Sequence, residues 1–240
     1  MLIGYKTIFI AALIGVLPAL LAGVLYFFGK KPSVANFNLL LKIFFWGVLT
    51  AIPASVFQII NIENHYQDIF LKKYFSSLGE NSFEYAIFSF LLVALIEEGA
   101  KAVGIFFSLK SLARSSFISK LNPGILVGVM IGLAFGVTEN GVYFANNFVS
   151  RVDGGFISVV FLRFLLSTSA HMIYSGLFGV FLFDLMLANG FLKKFFYFFA
   201  LLLPVAIHTG FNLLVSSDNF GVLSIPWLLV GLAILLFKML

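Results

Sequence analysis

Apolar residues in this chain run in long blocks, without the short period of a half-exposed helix or strand, and brief polar stretches separate the blocks. The blocks run from about Leu2 to Phe28, Leu39 to Ile62, Phe83 to Phe107, Pro123 to Phe148, Phe156 to Leu185, Phe195 to Val215 and Val222 to Phe237. A helix of ~20 residues crosses a hydrocarbon core of ~30 Å, so the pattern predicts an all-α polytopic membrane protein with about seven transmembrane helices. Little chain is left for a soluble domain, and one integral membrane domain over 1–240 is expected. The first block follows Lys6 and exceeds the ~7–15 apolar residues of a secretory signal, so it reads as a retained first helix.

Five titratable residues interrupt these blocks where lipid would surround them: Glu97, Glu98, Glu139, His171 and His208. Each lies about 15 residues into its own block, or ~22 Å at 1.5 Å per residue. The third to sixth helices, about 83–215, thus each bring at least one titratable group to a similar depth and form a predicted four-helix core. A charged group at a helix centre costs ~2.5–3.5 kcal/mol on insertion scales, so such residues need partners, a metal or a water-filled cavity.

Composition strengthens the membrane reading. The chain is 61% hydrophobic and only 10% charged, against about 25% charged in soluble domains. Its net charge of +5 resides mostly in short connections. Lys30 and Lys31, then Lys110, Arg114 and Lys120, then Lys193 and Lys194 mark alternate loops. The intervening loops mix Lys72 and Lys73 with Glu63, Asp68, Glu80 and Glu84, then pair Arg151 with Asp153, then hold Asp218 alone. The positive-inside bias therefore predicts a multi-pass protein with its N-terminus outside and its C-terminus in the cytoplasm, and it explains the basicity without nucleic acid. There is no Cys, which excludes disulfides and thiolate metal sites.

The polar residues fall into four clusters. In Glu97-Glu98-Gly99-Ala100-Lys101 the lysine lies four and three residues after the two acids and can neutralise either. On a soluble helix this string is an ordinary solvated ion pair; inside an apolar 25-residue block it is not. Adjacent helical residues point about 100° apart, so one glutamate is expected to face a cavity and the other to be held by Lys101 or a neighbouring helix. The second cluster, Phe135-Gly136-Val137-Thr138-Glu139-Asn140, follows glycines at 124, 128, 132 and 136. That stripe predicts close helix packing, with Glu139 emerging beside it. The third sets His171 and Ser175 one turn apart, with Arg163 two turns before His171 and suited to pair with an acid such as Glu139. The fourth, His208-Thr209-Gly210-Phe211-Asn212, puts an imidazole and a carboxamide on one face, one turn after the helix-bending Pro204.

Carboxylates, two imidazoles and a carboxamide on four helices are what water activation requires. The water can be activated by a general base or on a metal ion, while Asn212 can donate to a developing oxyanion. A proton- or ion-coupled transporter uses similar groups, but commonly shows internal inverted repeats, and none is evident here. A non-catalytic membrane scaffold remains a third reading.

The ordered set Glu97-Glu98-x-x-Lys101, Phe135-x-x-x-Glu139-Asn140, His171-x-x-x-Ser175 and His208-x-x-x-Asn212 resembles the PrsW family of intramembrane proteases. That family is related to the CAAX prenyl endopeptidase and bacteriocin-processing superfamily. The resemblance spans about 85–215. Lys101 and Glu139 stand where the prenyl proteases would show an arginine one position later and a histidine, which favours the PrsW branch. It implies site-one cleavage of a single-pass membrane protein, typically an anti-sigma factor, near the outer face of a bacterial cytoplasmic membrane. The catalytic set implied is Glu97, Glu98, Glu139, His171, His208 and Asn212, supported by Lys101, Asn140, Arg163 and Ser175. A divalent ion such as zinc, if used, is expected on Glu139, His171 and His208; a metal-free, glutamate-dependent reaction is the alternative.

Overall fold

The computed structural model describes residues 34–64, 83–113, 122–147, 162–188, 193–216 and 223–237, and among these every regular element is helical. They form α1 (Val34–Asn64), α2 (Phe83–Ala113), α3 (Pro123–Asn147), α4 (Arg163–Leu187), α5 (Lys193–Ser216) and α6 (Ser224–Phe237). The first predicted block lies outside the described residues. The other six match these helices, with shifts at the ends.

Four helices, α1, α3, α4 and α5, contain stretches long and apolar enough to cross a membrane. The 31-residue α2 carries Glu97, Glu98 and Lys101 in its middle, and α6 is a shorter apolar helix. Large side chains that a soluble protein would bury lie exposed, among them Phe45, Val103, Phe198 and Val230. They belong against lipid tails, where an apolar surface costs nothing.

Local chemistry sets the helix ends. Asn122 caps α3, its side-chain Oδ1 accepting the Gly124 amide at 2.8 Å, and Pro123 follows at the first helical position, where a missing N–H is harmless. At the start of α4, Arg163–Thr168 forms a π-helical turn before Ser169–Leu187 continues as α-helix.

α3 sits at the centre, packed on α4 most extensively and also on α1 and α2. The predicted glycine ridge is the reason. A Cβ on Gly124 would strike the backbone of Gly179, one on Gly128 the Ser175 carbonyl, and one on Gly132 the His171 carbonyl. Only hydrogen at these positions permits the observed backbone approach, and at Gly136 the facing atoms are Thr168 Cα and the His171 ring. α1 closes on α3 similarly, with Gly47 against Ala134 and Ile131. Among the described residues three apolar clusters fill the remaining space, one around Tyr174, Leu177 and Phe211, one around Ile105, Ile131 and Phe178, and a small one of Ala51, Ala54 and Phe135.

Candidate active site

α2, α3, α4 and α5 surround a cavity of about 540 Å³, and Glu97, Glu139, Arg163, His171, His208 and Asn212 are part of its wall. The walls climb from Glu97, His171 and His208 to Ser89, Leu162 and Ser216 near the helix ends. The rest of the wall is largely apolar, with Phe90, Val93, Leu166 and Phe211 among its side chains.

The two adjacent glutamates part company as their 100° separation requires. Glu97 lines the cavity, with Oε2 3.8 Å from His208 Nε2. Glu98 points into protein and is not part of the cavity wall. Its Oε1 accepts from Lys101 Nζ at 2.5 Å and pairs with His208 Nδ1 at 2.7 Å. Lys101 is 0% exposed, lies over the Phe135 ring at 4.5 Å, and has a second polar partner, His171 Nδ1, at 2.9 Å.

These contacts fix how each imidazole is used. An ammonium group only donates, so His171 Nδ1 accepts from Lys101, and Nε2 carries the proton donated to Glu139 Oε2 at 2.7 Å. His208 donates its Nδ1 proton to Glu98, and its Nε2 is the nitrogen on the side of Glu97. The rings stand edge to face, 5.3 Å between centroids, with Tyr174 beside His208 and Phe135 beside His171.

Glu139 is held from its other side as well. Arg163 Nη2 donates to its Oε1 at 3.0 Å, while Arg163 Nε donates to Asn140 Oδ1 at 2.8 Å and the guanidinium covers the Tyr143 ring. Asn140 is fully buried and its Nδ2 donates to Thr168 Oγ1 at 2.9 Å. One carboxamide therefore grips both ends of the Arg163–Thr168 π-turn. A π-turn widens the helix by one residue per turn and is common where a helix must re-aim side chains at a site.

Most of the predicted residues converge here, with two differences. Ser175 is buried where α4 meets Gly128 of α3, is not part of the cavity wall, and its hydroxyl makes no hydrogen bond among the described residues. His171 and Ser175 do lie one turn apart, but the backbone contact claims that level of the helix. The second difference is the expected metal set. The donors that lie within 4.8 Å of one another are those of Glu97, His171 and His208. Glu139 stands outside that group, and its two oxygens accept from Arg163 and His171. One carboxylate and two imidazoles suit a catalytic zinc with an open coordination position. An ion there would replace one of the two hydrogen bonds His171 makes.

Several residues at the site escaped the motif reading. Thr168 lies three residues before His171 and Tyr174 three after, so helical spacing from His171 points to both. Ser89, Phe90 and Val93 sit one and two turns before Glu97 and read as ordinary apolar-helix positions. Trp227 of α6 donates its indole N–H to the Ile207 carbonyl at 3.2 Å, bracing α5 next to His208. Nothing local to the Ser-Ile-Pro-Trp stretch announces that contact.

The family model for PrsW family intramembrane metalloproteases matches residues 35–240. Protease PrsW of Shouchella clausii (strain KSM-K16) is 28% identical over 201 residues, 82% of this chain and 80% of that protein. Protease PrsW of Halalkalibacterium halodurans is 33% identical over 109 residues, 45% of this chain and 46% of its own length. No solved structure matches. All the helices that build the cavity fall inside the matched region, and the chain belongs to the PrsW family of intramembrane metalloproteases, enzymes that cut peptide bonds within the membrane.

Proposed function

We propose that this protease is a single integral membrane domain with its catalytic core at about 83–215, and that it cleaves a single-pass membrane protein of the anti-sigma-factor class. Its expected place is the bacterial cytoplasmic membrane, N-terminus out and C-terminus in. The cavity extends toward the start of α2 and the end of α5, away from the basic ends marked by Lys110 and Lys193-Lys194. Under the positive-inside bias it would face the outer side of the membrane, which fits a site-one cut.

Glu97 is assigned as general base. The observation that carries this is its position on the cavity wall opposite His208 Nε2, while Glu98 is tied to Lys101 and His208. Glu97 removes a proton from water as the oxygen attacks the scissile carbonyl, and returns it to the departing amine. Glu98 and Lys101 hold His208 and His171 in place. Arg163 and Asn140 hold Glu139, which fixes His171. Asn212, one turn beyond His208, donates a hydrogen bond to the oxyanion, and Ser175 serves packing.

In a metal-dependent form of the reaction Glu97 would be a ligand in place of a free base: a divalent ion such as zinc would sit on Glu97, His171 and His208, where it would polarise the carbonyl and lower the pKa of bound water. Metal content of the purified protein, measured by mass spectrometry, should then approach one per chain and fall on His208→Ala substitution.

The test of roles is cleavage of a reconstituted single-span anti-sigma protein. Glu97→Gln should remove about 10²–10⁴-fold of the rate, the usual worth of a general base. Glu98→Gln keeps a hydrogen-bonding group beside Lys101 and should retain measurable turnover. Complete loss in Glu98→Gln, with Glu97→Gln active, would reverse the assignment.

A further inference from the structure

α5 carries His208 and Asn212, yet it is the least supported wall of the cavity. Only 28% of its spanning stretch is buried, against 44% in α1 and 61% in both α3 and α4. Its face away from the cavity shows Leu202 and Leu203 to lipid. Pro204 removes the amide that would have bonded the Ala200 carbonyl, so the half of α5 that follows is hinged at that point. The hydrogen bond from His208 to Glu98 ties an imidazole at the end of a side chain, and leaves the helix itself to be held by other contacts.

The helix behind this stretch is α6. Leu235 rests on Gly176, and a Cβ on Gly231 would meet Ile173 Cγ2 at 2.7 Å, so α6 is seated closely on α4. From there Trp227, in the first turn of α6, reaches α5 twice. Its indole N–H donates to the Ile207 carbonyl at 3.2 Å, and its ring covers Gly210, where an added Cβ would lie 3.0 Å from Cζ2. The three atoms nearest to that point all belong to Trp227.

These two contacts bracket His208 in the chain but not in direction. At 100° per residue, Ile207 and Gly210 centre about 150° around the helix from His208 and Asn212. Trp227 therefore bears on the back of α5 while the reactive groups project from the front, and it is not part of the cavity wall. An indole near the end of a membrane helix commonly turns its N–H to the wet interface. Here that donor is spent on a helical carbonyl, using its second lone pair.

We propose that Trp227 is a positioning residue, a wedge between α6 and the back of α5 that sets how far His208 and Asn212 stand from Glu97. The 3.8 Å between His208 Nε2 and Glu97 Oε2 is the distance it governs. Through this wedge α4 and α6 together hold a wall that lipid alone would leave to swing. The proposal rests on Glu97 and His208 being reacting groups.

The absence of cysteine from the chain allows a direct test. Spin labels on Ser89→Cys and Ser216→Cys span the cavity from α2 to α5. In lipid vesicles, Trp227→Ala should lengthen the mean distance between them by about 1 Å or more, a misplacement that can cost catalysis about 10²-fold. An unchanged or shorter mean overturns the wedge.

Cleavage by the otherwise natural enzyme gives the second arm. Trp227→Phe keeps a ring and loses the N–H, and should lower kcat about 2- to 10-fold, the worth of one net hydrogen bond; Trp227→Ala should lower it by up to about 10²-fold. KM should stay within about twofold, since Trp227 lies outside the cavity wall. Thermal unfolding in the same vesicles gives the folded fraction. A loss of kcat no larger than the loss of folded protein, or a rise in KM with kcat unchanged, overturns the role. Should Trp227→Ala fail to fold, Trp227→Phe carries both readouts. If Glu97→Gln cleaves as fast as wild type, the assignment of the reacting groups falls, while the label distance still decides whether Trp227 sets the place of α5.

Discussion

Two groups of the same chemistry stand on either side of Glu97: Lys101, Glu98 and His208 in one, Arg163, Glu139 and His171 in the other. Each joins a cation, a carboxylate and an imidazole, and Lys101 links them through His171. Their surroundings differ. The side chains of Lys101 and Glu98 are 0% and 2% exposed, those of Arg163 and Glu139 24% and 17%. In the dry group every charge depends on its partner, because desolvated ions are costly unless paired. In the cavity-facing group water can replace a lost partner, so its members are held mainly for geometry. The same three functional groups therefore serve as a foundation in one place and as an adjustable wall in the other.

The largest separation between them should come from Lys101→Met. It strands the Glu98 carboxylate and should lower unfolding stability in detergent by roughly 3–5 kcal/mol. Arg163→Gln should cost about 1 kcal/mol or less, since its pair is partly solvated. Equal losses in thermal or denaturant unfolding would erase the contrast.

Next in size is Gly132→Ala, which drives a methyl group onto the His171 carbonyl and forces α3 from α4. Overpacking of this kind costs ~1–3 kcal/mol. Because the displaced carbonyl belongs to His171, proteolysis should fall more than the stability change explains. Gly141, whose added Cβ would meet nothing within 4 Å, is the control, and Gly141→Ala should leave stability unchanged or raise it by up to about 1 kcal/mol.

A smaller and more specific effect concerns the wall. If Asn140 acts by holding Arg163 on Glu139, the losses in kcat/KM from Asn140→Leu and Arg163→Gln should not add. The double variant should resemble the worse single one, with a coupling of about 0.5–3 kcal/mol. Strict additivity would separate the two residues. The smallest effect is expected for Tyr174→Phe. The Tyr174 hydroxyl is buried without a hydrogen bond among the described residues, so its removal should be neutral or slightly stabilising and change turnover less than twofold. A tenfold loss would give that hydroxyl a role.

Much of this was legible in the residues. The blocks of apolar sequence marked the helices because a bilayer of fixed thickness imposes their length, and the six blocks within the described residues reappear as α1 to α6. The glycine ridge announced the α3–α4 contact. Glu97, Glu139, Arg163, His171, His208 and Asn212 line the cavity, because lipid gives such groups no other home. The π-turn was not legible: Arg163–Thr168 contains neither Gly nor Pro, and the turn is gripped by Asn140 from another helix. Nor was the close donor set legible: it holds Glu97 with His171 and His208 where Glu139 was expected, because helix rotation decides which carboxylate oxygen comes within 4.8 Å of both imidazoles.

By itself, then, the sequence determined that the protein lives in a membrane, which helices carry its polar groups and at what approximate depth. Composition and linear spacing fix those things through hydration cost and helical rise. Only the tertiary structure decided that Glu97 rather than Glu98 faces the cavity, which cation serves which carboxylate, and which nitrogen of each histidine is engaged. Those choices depend on how each helix is rotated about its axis. In a uniformly apolar helix no hydrophobic stripe sets that rotation, so it is fixed by the backbone contact of α3 with α4 and by partners 70 to 110 residues away along the chain.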